Sequence, residues 1–83
     1  MSTLEIEIGD LHASSVDFTA TELIVTLANG RKIVTPLAWY PRLQHASPAQ
    51  RANYEIMPMG IHWPDIDEDV SIAGMLKGRG SQS

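Results

Sequence analysis

Residues 23–35 read LIVTLANGRKIVT, and this segment decides the fold of the chain. Its first half places large apolar side chains at every second position, the period of two that indicates a β-strand. The dipeptide Asn29-Gly30 follows, and it favours a tight hairpin because a type I′ turn needs positive φ at both central residues. We therefore predict a hairpin with a two-residue loop, in which Val34 of the return strand lies opposite Val25.

Further strand patterns lie on both sides of this hairpin. Residues 4–8 alternate apolar side chains with two glutamates, as in a half-buried strand whose charges also protect a sheet edge. Val16 and Phe18 begin a second short strand. On the other side, residues 54–57 look extended, and residues 61–63 resume the extended pattern after an interruption by proline and glycine.

Helix signals are short and local. Residues 41–45 begin with proline and fit one helical turn. Ser47 is followed by Pro48 and Gln50, which together predict a helix start with a capping box. The apolar stripe within residues 71–77 predicts a last helix, whose start either Asp69 or Ser71 could cap.

These patterns predict an α+β fold, with one small hairpin-based antiparallel sheet of three to five strands packed with two or three short helices. The chain has 83 residues, which is the size of one small domain. We place that domain at residues 1–78 and expect residues 79–83, rich in glycine and serine, to form a flexible polar tail.

The composition limits the classes of function. The chain has no cysteine, so disulfides and thiolate metal sites are excluded, and we expect a cytoplasmic location. Six basic and ten acidic residues give a net charge of −4, which disfavours direct binding to nucleic acid. No apolar run is long enough for a signal peptide or a membrane span. An acidic protein of this kind is suited instead to a basic partner surface.

The carboxylates concentrate in one place, which we call the acidic segment: Asp65, Asp67, Glu68 and Asp69. One explanation is structural, because carboxylates near a helix N-terminus are favoured by the helix dipole. That explanation suits Asp69 and Glu68 but leaves Asp65 and Asp67 without a structural task. The alternative is a partner-binding surface.

Aromatic residues beside the acidic segment admit two interpretations. Trp39, Tyr40 and Trp63 supply much of the aromatic surface of the chain, and small cores depend on such residues. Tryptophan is also enriched at the centres of protein interfaces. We therefore include Trp63 and His62 with the acidic segment as candidate partner-binding residues.

Catalytic and metal-binding signatures are missing from the sequence. The alternating aspartates resemble a calcium loop, but Val70 and Leu76 stand where that loop needs glycine and glutamate. No histidine spacing fits a zinc site, and no serine lies in a nucleophile elbow. We therefore predict no catalytic residues, no metal and no cofactor. One alternative left open is a small metal-dependent hydrolase that uses His62 with the nearby aspartates.

The chain also resembles a known family, through motifs that span roughly residues 12–78. The motifs are, in order, residues 23–37 with Asn29-Gly30-Arg31, then Pro36-Leu37-x-Trp39-Tyr40-Pro41-Arg42-Leu43, Ser47-Pro48-x-Gln50-Arg51, Gly60-Ile61-His62-Trp63-Pro64-x-Ile66-Asp67-Glu68-Asp69, and Leu76-x-Gly78. In this order they resemble the bacterial domain of unknown function numbered 2442. The resemblance implies a small α+β unit with an antiparallel sheet and brings no established catalytic residues.

The same resemblance implies a setting for the function. Members are often encoded beside a second small uncharacterised protein, which suggests pairs of the toxin–antitoxin kind. Some members carry an added helix-turn-helix domain, for which these 83 residues have no room, so its DNA binding is not carried over.

Together these observations predict a non-catalytic protein that neutralises or regulates a protein partner through an acidic surface. The partner would have a basic, nucleic-acid-binding surface, as for an antitoxin or a phage anti-CRISPR inhibitor that mimics DNA. We expect a monomer or weak homodimer. A structural homodimerisation module is the remaining alternative, since exposed sheet edges can pair with a second copy.

Overall fold

The computed structural model describes residues 12–78, and the strand predicted at residues 4–8 and the tail at 79–83 lie outside this range. The elements in chain order are β1 (Ala13–Phe18), β2 (Glu22–Leu27), β3 (Lys32–Pro36), a 3₁₀ turn (Leu37–Trp39), α1 (Pro41–Gln44), α2 (Pro48–Ala52), β4 (Glu55–Met57), β5 (Gly60–Trp63), β6 (Glu68–Ser71) and α3 (Ile72–Leu76). The predicted α+β class is confirmed. Within the described residues the strands form two sheets rather than one.

Each sheet has three antiparallel strands in sequence order. Strands β1, β2 and β3 form the first sheet, and strands β4, β5 and β6 form the second. Within each sheet the strands are joined by hairpin connections, and the 3₁₀ turn, α1 and α2 connect β3 to β4. Sequential hairpins suit a chain of this length because each strand pairs with its neighbour in sequence.

The hairpin at Asn29-Gly30 exists, but its predicted register is wrong by one residue. Val25 pairs with Ile33, so the loop has three residues, and of these only Gly30 has positive φ, at 92°. The Gly30 N–H donates to the Leu27 carbonyl at 2.9 Å, which closes a turn before the left-handed glycine. This alternative loop also matches the twist of the strands.

The register shift decides which side chain of β3 enters the core. Because side chains alternate between faces, a slip of one residue exchanges the two faces of a strand. Thr35 is consequently buried, whereas Val34 is 51% exposed. The apolar residue that we predicted opposite Val25 therefore lies on the surface.

The helix starts were predicted correctly from local signals. Ser47 accepts a hydrogen bond from the Gln50 N–H, and the Gln50 side chain accepts one from the Ser47 N–H, which completes the capping box of α2. At α3 the cap is Ser71, whose hydroxyl accepts from the Gly74 N–H at 3.1 Å. Asp69 is not the cap, because the residue directly before α3 is Ser71, whereas Asp69 lies two residues earlier in β6 and pairs there with His62.

Both sheets contribute to one core between them. Leu23 and Val25 come from the first sheet, and Ile61 and Trp63 come from the second. Tyr40 is also buried, and Trp39 packs partly buried against the core. None of the helices within residues 12–78 is long and apolar enough to cross a membrane.

Candidate functional site

The predicted site residues all lie on one hairpin, made by β5, β6 and the turn at residues 64–67. In this hairpin Trp63 pairs with Glu68, and His62 pairs with Asp69. Because side chains alternate along a strand, these two pairs point to opposite faces of the sheet. The pairing thus divides the candidate residues into an inner and an outer group.

The inner group corrects our prediction for Trp63 and Glu68. Trp63 is fully buried and its indole N–H donates to the Arg51 carbonyl at 2.9 Å. Glu68 is only 2% exposed, because its position in β6 faces the core beside Trp63. Neither side chain presents a surface to a partner in this fold.

His62 and Asp69 belong to the outer group and contact each other. The His62 Nδ1 lies 2.6 Å from Asp69 Oδ1, and the Asp69 side chain is 78% exposed. Glu55 of β4 is exposed and pairs with His62 from the other side. The imidazole therefore stands in a row across three strands, with a carboxylate residue on either side.

Asp65 and Asp67 lie in the turn that joins β5 to β6, and both are exposed. Asp65 Oδ2 accepts a hydrogen bond from the Asn53 side-chain amide at 3.1 Å. Asp67 has φ of 53°, a conformation that aspartate tolerates better than most residues. Arg42 donates to the main-chain carbonyl of Asp67, so it fastens the turn without pairing with a carboxylate of the acidic segment.

The hypothesis of a metal-dependent hydrolase needs at least three ligands around one point. Within residues 12–78, no three histidine, aspartate or glutamate side chains lie close enough together to hold a metal ion. His62 contacts Asp69, while Asp65 accepts a hydrogen bond from the amide of Asn53.

A face that the sequence reasoning missed lies on the same sheet, and we call it the outer face of the second sheet. It consists of two parallel rows, Glu55, His62 and Asp69, and Met57, Gly60 and Ser71. The feature of the sequence that could have predicted this face is the turn at Pro58-Met59. A two-residue connection there fixes Met57 opposite Gly60 and so places both rows.

Three polar side-chain groups are buried in the described part of the fold without hydrogen-bond partners there. The Thr35 hydroxyl, the Tyr40 hydroxyl and Glu68 Oε2 are all inaccessible to solvent and have no hydrogen-bond partner among the described residues. Burial raises the pKa of the Tyr40 phenol above its usual value of 10.0. The nearby Thr35 side chain lowers this pKa in part, and the negative charge of Glu68 raises it.

A groove with a volume of about 470 Å³ opens beside β1 and α2. Its walls include Phe18, Tyr54 and Arg51, whose guanidinium lies 5.2 Å from the centre of the Phe18 ring. Arg51 also donates to the carbonyls of Leu43 and Gln44, at 2.9 Å each. The guanidinium thus holds α1 to α2, which gives it a structural role.

Comparison with known proteins supplies the family of the chain. The chain is similar to an uncharacterised protein of Chromobacterium violaceum whose solution NMR structure is known, with 28% identity and a TM-score of 0.73 over 87% of this chain and 70% of that one. It is similarly related to a protein of unknown function from Rhodospirillum rubrum, whose crystal structure gives 29% identity and a TM-score of 0.70 over 87% and 92% of the two chains. A search of the curated proteins found no match.

The family model described as "Protein of unknown function (DUF2442)" matches residues 13–81, which is most of the chain. Its range agrees with the motifs that carry the resemblance seen in the sequence. Both solved structures share the fold of this chain, as their TM-scores of 0.73 and 0.70 show. The chain therefore belongs to the DUF2442 family of proteins of unknown function.

Proposed function

We propose that this chain is a non-catalytic binding protein that neutralises or regulates a protein partner through an acidic surface. The proposed surface consists of Asp65, Asp67 and Asp69 on the β5–β6 hairpin, with His62 beside them. The partner would present a basic surface, of the kind that binds nucleic acid. In its most specific form, the carboxylates take the place of DNA phosphates, as in an anti-CRISPR inhibitor or an antitoxin.

One observation carries this proposal. The carboxylates of Asp65, Asp67 and Asp69 are exposed on a single hairpin, and no Lys or Arg among the described residues forms an ion pair with them. Their only side-chain partners in that part of the chain are neutral or weakly basic, namely Asn53 and His62. Most of their capacity to accept hydrogen bonds is therefore left for a partner.

The hairpin also holds these charges in place before a partner arrives. Asn53 and Arg42 tie the turn to the preceding part of the fold, and strand pairing fixes Asp69. A preorganised surface loses less conformational entropy on binding than a flexible acidic tail would. Complementary charge raises the rate of encounter with a basic partner and makes binding sensitive to salt.

A matched pair of charge-reversal variants tests the proposal. The unaltered protein first captures its partner from the native host. Partner binding is then measured for a variant that combines Asp65→Lys with Asp69→Lys. Asp67 is left unchanged, because its positive φ would strain a lysine. We expect partner affinity to fall at least about tenfold, the equivalent of about 1.4 kcal/mol, and the residual binding to depend less on salt.

The control reverses two exposed carboxylates of the first sheet, Asp17 and Glu22, to lysine. It makes the same change in net charge but leaves the acidic segment intact. Circular dichroism of both variants serves to check that they fold. An equal loss of binding in both would reduce the effect to net charge, and undiminished binding by the Asp65 and Asp69 variant would refute the proposed surface.

Glu68 provides an internal check on which carboxylates matter. Although it lies in the same segment, its side chain is buried and cannot touch a partner. We expect Glu68→Gln, provided that circular dichroism shows a folded protein, to bind the captured partner as the unaltered chain does. Loss of binding in a folded Glu68→Gln protein would mean that the binding-competent state differs from this fold.

A further inference from the structure

The outer face of the second sheet contains a hollow whose base is Gly60. Met57 stands on one side of this glycine and Ser71 on the other, because each pairs with it across the sheet. A Cβ built on Gly60 would lie 2.5 Å from the Val70 carbonyl oxygen, so the close approach of β6 excludes a side chain there. The base of the hollow therefore stays free of a side chain as long as β5 and β6 are paired in this register.

The walls of this hollow are apolar on one side and charged on the other. Met57 and Met59 line it and are 45% and 40% exposed, whereas Asp69 lines it with a carboxylate. Its volume is about 250 Å³. Flexible thioether side chains are typical of surfaces that adapt to a bound side chain.

The spacing of the two rows defines what fits. Asp69 and Ser71 are neighbours on the same face of β6, so the row that contains Asp69 and the row that contains Gly60 are separated by about 6.8 Å along the strand. That separation is comparable with the reach of an extended Lys or Arg side chain. An aliphatic stem over Gly60 and between the methionines would bring a cationic end group to Asp69.

We propose that this hollow receives one long basic side chain, Lys or Arg, of the protein partner. The inference rests on the proposed function and specifies how the partner is held. His62 occupies Asp69 Oδ1 and leaves Oδ2 to accept a hydrogen bond from the incoming cation. A purely apolar occupant is disfavoured because it would remove Asp69 Oδ2 from water without giving that oxygen a partner.

The first test uses partner affinity. Met57→Ser and Met59→Ser are combined, and the control combines Val34→Ser with Leu76→Ser, which changes two other exposed apolar residues. We expect the methionine variant to lose at least about fivefold in affinity, as hot-spot contacts do, and the control to lose less than twofold, as surface contacts outside a hot spot do. Equal affinities of the two variants would overturn the inference.

The second test needs no identified partner and follows the methionine methyl groups by NMR. Nα-acetyl-arginine amide is added at millimolar concentration, with Nα-acetyl-norleucine amide and Nα-acetyl-glutamate amide as controls. We expect the arginine probe alone to shift the Met57 and Met59 signals, and Asp69→Asn to abolish the shift. Met75, which is buried, serves as an internal reference.

Each outcome has a separate meaning. Shifts of equal size with the norleucine probe, or no shift with arginine, would overturn the basic occupant. Shifts of Met57 and Met59 that depend on protein concentration alone would identify a second copy of this chain as the occupant and overturn it as well. If reversal of Asp65 and Asp69 abolishes capture while these methionine tests fail, the inference falls and the proposed function stands.

Discussion

Tyr40 illustrates how a single side chain can carry two opposed roles. Its ring fills the core, where it is 1% exposed and lies edge-on to Trp39 at a centroid distance of 6.4 Å. Its hydroxyl, in contrast, is buried near Thr35 and Glu68 without a hydrogen-bond partner among residues 12–78. The apolar ring stabilises the fold, while the buried hydroxyl offsets part of that gain.

The raised pKa of the Tyr40 phenol predicts a loss of stability in alkali. The unfolded chain releases this proton at the usual value of 10.0, whereas burial keeps it bound in the folded protein. Since the folded state then holds more protons, the free energy of unfolding falls as pH rises through 10.0 and above. Denaturant titrations on either side of that pH measure the fall.

Tyr40→Phe is the matching control for this pH dependence. It keeps the ring and removes only the ionisable hydroxyl, so we expect its stability near neutral pH to change by less than about 1.5 kcal/mol. The alkaline decline should become shallower in this variant. An unchanged decline would assign the effect to other groups.

At the scale of elements, helix α2 is held by side-chain hydrogen bonds at its N-terminal end. Helix α2 has five residues, Pro48–Ala52, none of them buried. A helix this short gains little from internal hydrogen bonds, so its cap contributes a large share of its stability. The capping box of Ser47 and Gln50 supplies partners to two main-chain N–H groups. The same helix carries Arg51, whose carbonyl accepts the Trp63 indole N–H.

Removing this cap should therefore lower the stability of the whole fold, because α2 also binds the Trp63 indole. We expect Ser47→Ala to lower the free energy of unfolding by about 1 kcal/mol, measured by denaturant titration. Ser47→Asp keeps an acceptor at the cap and should lose much less. Equal effects of the two substitutions would show that the capping hydrogen bond is not what stabilises α2.

For the whole molecule, the central fact is that neither sheet has a complete core of its own. Trp63 of the second sheet packs against Phe18 of the first with ring centroids 6.3 Å apart, and residues of both sheets form one buried cluster. Three-stranded sheets of this size are marginal unless one face is covered. Each sheet therefore depends on the other for burial of its apolar face.

This mutual dependence predicts one cooperative unfolding transition. We expect tryptophan fluorescence, which reports the core around Trp63, to follow the same thermal curve as far-UV circular dichroism, which reports the strands. Two separated transitions would contradict a shared core and would mean that one sheet survives alone. The same measurement on the charge-reversal variants establishes that their binding is compared between equally folded proteins.

The sequence by itself determined the features that depend on neighbours along the chain. The capping box at Ser47, the hairpin at Asn29-Gly30 and the α+β class could be predicted because each rests on local geometry or on the alternation of side chains. The family was also recognisable, from the order of its motifs. The concentration of carboxylates near the C-terminus was visible, but not which of them are exposed.

Only the tertiary structure decided which side chains of the strands face outward. Glu68 and Asp69 are adjacent carboxylates in the sequence, yet one lies buried beside Trp63 and the other meets His62 at the surface. The face that a strand buries depends on its pairing and on what packs against it, and a change of one residue in register exchanges the faces. For the same reason the hollow at Gly60 appears only when β4, β5 and β6 are placed side by side.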